Sequence, residues 1–225
     1  VGRKIFIDGG ANIGQSTRSF MSEWPGAKDY EIFCFEPSKG ENIRKNLENL
    51  KKDFNNVEVL YDAVWIEDGE VVFYDEEKTS SSLVKEKLRG VAGVTVGAID
   101  LSGWIKRTFS ENDQILLKLD IEGSEYEVLE KLVEEGVTYM IDKIFVEIHG
   151  SKCGKTLEES KNIVDLLHSV GHKLYMWEGD TFKYETYKEE YYNHKILEHL
   201  YCNWTKRGFD RVVAERVSNE KGKSV

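Results

Sequence analysis

The chain predicts an α/β fold built on a mostly parallel sheet, and three observations carry that reading. Short apolar runs rich in Ile, Val, Phe and Leu alternate with amphipathic stretches, the pattern of βα units. The first run, Lys4-Ile5-Phe6-Ile7-Asp8, enters a glycine-rich turn, Gly9-Gly10-Ala11-Asn12-Ile13-Gly14-Gln15, ahead of a helical pattern. Polar residues stand where later runs stop, at Glu36, Asp62, Asp120 and Glu147. Open α/β sheets bind their ligands outside those carboxyl ends.

Seven strands are expected, over residues 4–8, 31–36, 57–61, 115–120, 143–147, 172–177 and 209–215. Helices follow from the 3.6-residue pattern at 16–23, 40–53, 126–135 and 157–170, the last stopped by Gly171. Between the third and fourth strands lies a long irregular piece. It holds an edge-hairpin candidate at 71–74, a serine turn at 79–83, a run at 94–99 and a short helix from Leu101. The stretch 178–208 mixes tyrosines and Trp204 with charges, and the tail from Ser218 is polar. The organisation expected is a single domain over 1–225, with insertions at about 66–114 and 178–210. The start at Val1, three residues before a strand, suggests a domain excised from a longer chain.

Composition narrows the classes. A formal charge of −10 argues against a nucleic-acid partner, which needs a basic face to release counterions. No long apolar run and no signal segment appear, so a soluble cytoplasmic protein without a membrane partner is expected. Cys34, Cys153 and Cys202 have no paired spacing and suit a reducing compartment, with Cys34 in the core.

The strand ends supply the chemistry. A glycine turn between a strand and a helix lets a nucleoside ligand approach the backbone closely. The spacing Asp-Gly-Gly-x-x-x-Gly departs from G-x-G-x-x-G, because Asn12 stands two residues after Gly10. Glu36, before Pro37, lies at the distance from the turn where a carboxylate grips ribose hydroxyls. Tyr61-Asp62-Ala63-Val64 could flank an adenine ring. Leu117-Lys118-Leu119-Asp120-Ile121-Glu122 puts three charges on one side of a strand by its period of two, and a buried Lys118 needs Asp120 or a neighbouring-strand group as partner. Glu147 and His149 share a face on the next strand. If the two strands are adjacent, Lys118, Asp120, Glu122, Glu147 and His149 meet in one cleft, as a catalytic cluster or as a structural ion-pair network. No metal is assigned; were one present, Asp120, Glu147 and His149 would hold Mg or Mn. His168, His172, His194 and His199 read as surface or packing residues.

These residues resemble the FkbM family of class I S-adenosylmethionine-dependent methyltransferases. The likeness rests on Ile7-Asp8-Gly9-Gly10-Ala11-Asn12-Ile13-Gly14, Phe35-Glu36-Pro37-Ser38, Ala63-Val64, Ser81-Ser82-Leu83, Ile99-Asp100-Leu101, Leu117 to Glu125 and Val146-Glu147-Ile148-His149, in that order. The resemblance implies a Rossmann-like three-layer sandwich with a seven-stranded sheet of order 3-2-1-4-5-7-6, its last strand antiparallel. It also implies methyl transfer to oxygen, with a sugar, glycan or polyketide-type hydroxyl as acceptor. The excised look of the chain agrees with fusion to a glycosyltransferase or other glycan-building domain.

By position, Asp8, Gly9, Gly10, Asn12 and Gly14, with Gln15 and Ser16 beyond, would wrap the methionine half of S-adenosylmethionine. Glu36 and Pro37 would meet the ribose, Asp62 and Ala63 the adenine, and Asp120 the amino group. His149 is the first choice of base for its near-neutral pKa, with Glu147 or Glu122 as orienter or alternative and Lys118 as a pairing charge. The aromatic residues of 178–208 favour a sugar face. A nicotinamide-dependent oxidoreductase and a non-catalytic cofactor-binding domain are the competing readings, and Asn12 in place of a fingerprint glycine speaks against the first.

Overall fold

The computed structural model describes residues 2–75, 81–84, 92–150, 153–178 and 181–186. The strands are β1 (Lys4–Gly9), β2 (Tyr30–Phe35), β3 (Val57–Leu60), β4 (Ala63–Trp65), β5 (Gly69–Tyr74), β6 (Gly93–Asp100), β7 (Gln114–Leu119), β8 (Lys143–Val146), β9 (Leu174–Glu178) and β10 (Thr181–Thr186). The helices are α1 (Gln15–Glu23), α2 (Glu41–Asp53), α3 (Leu101–Thr108), α4 (Glu125–Glu134) and α5 (Leu157–Ser169). The main sheet runs β10-β9-β8-β7-β1-β2-β3, and every pair from β9 to β3 is parallel.

Period two sorts the side chains into three layers. Ile5 and Ile7 of β1, Ile115 and Leu117 of β7 and Ile144 of β8 join Ile105 of α3, Leu129 of α4 and Val164 of α5 in the larger core. Phe6, Ile32, Cys34 and Leu116 face the other way, onto Phe20 of α1 and Leu47 and Leu50 of α2. Stacking of Phe6 on Phe20, centroids 4.1 Å apart, seats α1 on β1. Cys34 lies in this core as expected, and burial pushes its thiol far above the ordinary range. Helix α5 begins with a capping box, Thr156 with Glu159, which satisfies amide groups the helix itself leaves bare.

Two features differ from expectation. The order 3-2-1-4-5-7-6 would place a strand between β8 and β9, yet Ile144, Phe145 and Val146 pair directly with Leu174, Tyr175 and Met176. The antiparallel strand is β10, and only residues 179 and 180 separate it from β9, a link that reaches an adjacent antiparallel position and no other. The expected strand at 209–215 and the aromatic stretch from 187 onward, with His194, His199 and Cys202, lie outside the described residues.

The second difference is a separate sheet, β4-β6-β5, with β4 parallel and β5 antiparallel to β6. The irregular piece is therefore more ordered than its composition suggests. Ala63, Phe73 and Val96 form its small core, with Val71 and Leu83 against them. Ala63, Val64 and Phe73 of this sheet border the same cleft as Gly10 and Glu36 of the main sheet's strand ends. No helix among the described residues is long and apolar enough to cross a membrane.

Candidate active site

The site begins with a buried ion pair that strand register dictates. Asp8 and Lys118 are direct partners across the parallel β1–β7 pair, so both side chains emerge on one face. Lys118 Nζ lies 3.1 Å from Asp8 Oδ1 and 3.7 Å from Asp120 Oδ2, and Asp8 and Lys118 are 0% and 1% exposed. The neighbouring-strand group is thus the nearer partner of Lys118. Asp8 Oδ2 accepts from Ser16 Oγ at 2.5 Å and from Thr17 Oγ1 at 2.8 Å, tying the start of α1 to β1. Lys118 Nζ also donates to the carbonyls of Gly9 and Gly10, at 3.2 and 2.9 Å.

The glycine turn is closed by its own protein. Gly10 and Ala11 N–H donate to Phe35 O, Gly14 N–H donates to Ala11 O, and Asn12 N–H donates to Glu36 Oε2 at 2.8 Å. Only glycine fits at position 10. Its φ is +78°, and a Cβ there would stand 1.9 Å from Asp120 O. Asn12, at φ +49°, uses the left-handed tolerance of its residue type. The turn therefore spends these amides internally and holds Glu36 in place. Glu36 Oε1 accepts from Ser38 N–H at 2.9 Å, and burial raises its carboxyl above the ordinary range against the pull of the Ser38 and Asn12 amides.

The acidic groups converge through turns. Strand β7 ends at Leu119, so the alternation expected through residue 122 stops there. Glu122 has φ +59°, unusual for so bulky a residue, and Gly123 follows at +120°. This turn is braced by Ser82 Oγ, which donates to Glu122 O at 2.6 Å. Adjacent β8 delivers Glu147 and His149, with Glu147 N–H donating to Leu119 O. His149 Nε2 lies 3.3 Å from Glu122 Oε2, 3.4 Å from Glu147 Oε1 and 3.8 Å from Asp120 Oδ1. On its other side Nδ1 meets Glu125 Oε1 at 2.9 Å. Glu125, wholly buried, also accepts from Ile121 and Gly123 N–H. Burial alone would lower the His149 pKa, but the charge and hydrogen bond of Glu125, then Glu147 and Asp120, outweigh it and raise it to about 10. Burial pushes the Asp120 carboxyl up, opposed by Lys118 and His149.

These groups border a cleft of about 330 Å³ at the carboxyl edge of β1, β2 and β7, within the size range of small-molecule sites. Gly10, Asn12, Gln15, Ser16, Glu36, Pro37, Ala63, Lys118, Asp120, Glu122 and Glu147 line it. Asp8, Gly9 and Gly14 stand behind the lining. Asp62 also stands off it, with its carboxylate against Gly97, where a Cβ would approach within 2.0 Å. His149 is 1% exposed and lies under the acids. Of the serine turn, Ser81 lines the cleft, Ser82 braces Glu122, and Ser80 is outside the described residues.

Several residues escaped the sequence reading. Phe35, Ile43, Phe73 and Ile121 supply apolar walls, Ser124 a buried hydroxyl and Glu125 the support of His149. Glu125 carried no signal beyond its place in the Asp120–Glu125 run. The closest His and carboxylate set is Asp120, Glu122 and His149, with Glu122 where the sequence suggested Glu147.

Strand order and cleft position define an open-sheet α/β protein with its main cleft at the topological switch region, where such folds bind ligands. No curated protein matches the chain. The family described as Methyltransferase FkbM domain matches residues 8–174, and the chain belongs to that family of methyltransferases.

Proposed function

We propose that this methyltransferase moves the methyl group of S-adenosylmethionine to a hydroxyl oxygen of a sugar or glycan. The observation that carries the cofactor assignment is the charge of the cleft. Glu36, Asp120, Glu122 and Glu147 line it, and the lysine on its wall is already paired with Asp8. Such a cleft favours a ligand bearing a sulfonium and an ammonium group. It disfavours a pyrophosphate, for which the closed glycine turn also leaves little backbone donation. Glu36 suits the ribose hydroxyls, Ala63 and Val64 the adenine, and Asp120 the amino group.

The sulfonium is already a strong electrophile, so the protein must align the acceptor and remove its proton. The acceptor oxygen bonds to the methyl carbon as the carbon–sulfur bond breaks, its electron pair returning to sulfur to leave S-adenosylhomocysteine. The acceptor proton passes to a base. Glu147 takes that role in preference to His149, because it lines the cleft while the imidazole lies beneath the acids. His149 instead orients and balances the carboxylates around it. The sugar preference rests on family resemblance and on the aromatic stretch outside the described residues; a polyketide-type hydroxyl is the other acceptor of the same chemistry.

Calorimetric titration with S-adenosylmethionine, S-adenosylhomocysteine and NAD tests the cofactor, with one site expected for each of the first two. Binding of NAD alone would defeat the proposal. Incubation with labelled cofactor and a panel of glycans and macrolides tests the acceptor. Glu147→Gln should lower kcat at least 100-fold while leaving cofactor affinity within about threefold.

A further inference from the structure

The floor of the cleft gathers oxygen donors and one imidazole from two neighbouring strand ends. One donor atom each from Asp120, Glu122 and His149 lies within 4.8 Å of the others. An ion with bonds of about 2.1 Å sets adjacent donors about 3.0 Å apart and opposite donors about 4.2 Å apart. The separations of 3.3 Å and 3.8 Å from His149 Nε2 to Glu122 and Asp120 fall between those values, and all three donors stay within 4.8 Å of one another. We propose that Asp120, Glu122 and His149 bind one hard divalent cation of the Mg2+ or Mn2+ kind on the floor of the cleft.

Two further observations point to a ligand there. The first is the support behind the imidazole. Buried Glu125 holds Nδ1 at 2.9 Å, fixing the ring so that Nε2 faces the carboxylates, the carboxylate–histidine arrangement that orients metal-binding imidazoles. The second is Ser124, which lines the same cleft two residues from Glu122. Its hydroxyl is buried, at 1% exposure for the residue, with no hydrogen-bond partner among the described residues. A buried hydroxyl without a partner is uncommon, and a ligand or a water on a bound ion would satisfy it. Two carboxylates with one imidazole favour Mn2+ or Mg2+ over the softer metals that thiolates select.

On binding, the ion takes the place of the Nε2 proton, which leaves to solvent. Glu147, 3.4 Å from Nε2, stays beside it to accept a proton from an ion-bound hydroxyl. What the ion does for methyl transfer rests on the function proposed above, but its binding does not.

The test is therefore direct and uses no cofactor or acceptor. Metal-free wild-type protein is titrated with MnCl2 by electron paramagnetic resonance of free Mn2+ and by calorimetry. One Mn2+ per chain, displaced by Mg2+, is expected, and Glu122→Gln and His149→Gln should each weaken binding at least tenfold. Exposed Glu130→Gln should leave it unchanged. Circular dichroism reports folding, and Glu122→Gln, at the cleft surface, decides the matter if His149→Gln does not fold. Absence of saturable binding to the wild type, or binding that Glu122→Gln leaves intact, overturns the site. Loss of S-adenosylmethionine binding in the earlier titration would defeat the methyl-transfer proposal and leave this one standing.

Discussion

Lys118 is the residue on which strand geometry and site chemistry meet. Its ammonium is shared by Asp8, Asp120 and two glycine carbonyls, so its removal abandons a wholly buried carboxylate. Lys118→Met should cost about 3–5 kcal/mol in urea unfolding, the range for breaking one side of a buried pair. Asp113 plays a comparable part at the other end of β1. It accepts from Arg3 N–H at 2.8 Å, the Arg3 guanidinium at 2.9 Å and Ser110 N–H at 2.9 Å. Burial would raise its carboxyl, but the Ser110 and Arg3 donors prevail and hold it at about 2, below the ordinary 3.8. A folded-state value below the unfolded one means stability that is complete above about pH 4 and lost as pH falls through about 2. Asp113→Ala should cost about 1–3 kcal/mol at pH 7, and the difference from wild type should shrink toward pH 2 in denaturant titrations. Lys118 was legible as a buried charge in need of a partner. Asp113 was not, because its partners come from 110 residues away and from a turn.

At the scale of the element, the glycine turn and the acid turn act as one piece. Gly10 packs on the carbonyl of Asp120, and Lys118 bonds the carbonyl of Gly10, so the turn after β1 and the turn after β7 set each other's position. Gly10→Ala meets both the positive φ and the 1.9 Å approach. It should destabilise the chain by about 1–3 kcal/mol in urea and abolish calorimetric binding of S-adenosylmethionine. Strands β1, β2, β3, β7, β8 and β9 were readable from their apolar runs, and Gly171 marked the end of α5 at φ +86°. The geometry of Glu122 was not readable. A period of two applies only while the ladder lasts, and β7 ends at Leu119, after which a left-handed backbone aims the carboxylate. Glu125 was hidden for a similar reason, since a glutamate in the first turn of a helix reads as dipole complement and not as the seat of a histidine.

For the whole molecule, the two cores flanking the main sheet follow from alternation, and the family likeness was carried by residues at its strand ends. The position of β10 was not foreseen, because a two-residue link decides it and the expected last strand lay far downstream. Of the second sheet, β5 and β6 were marked as candidate strands but β4 was missed, since it is three residues long and its pairing with β6 spans a long sequence separation. That sheet has a consequence for how the cleft responds to ligand. Val64 is anchored in the main core, but among the described residues Phe73 and Val96 belong to a small core with Ala63, flanked by Val71 and Leu83. So small a cluster predicts that β5 and β6 open locally at lower free energy than β1 and β7. If S-adenosylhomocysteine occupies the cleft as proposed, the wall carrying Phe73 is the part it should order most. Amide hydrogen exchange should show β5 and β6 exchanging fastest among the described strands in the free protein and gaining the largest protection with S-adenosylhomocysteine, while β1 and β7 stay slow in both states. Recognition and response would then fall to different parts of one cleft, the first to the strands of the main sheet and the second to the small sheet beside it.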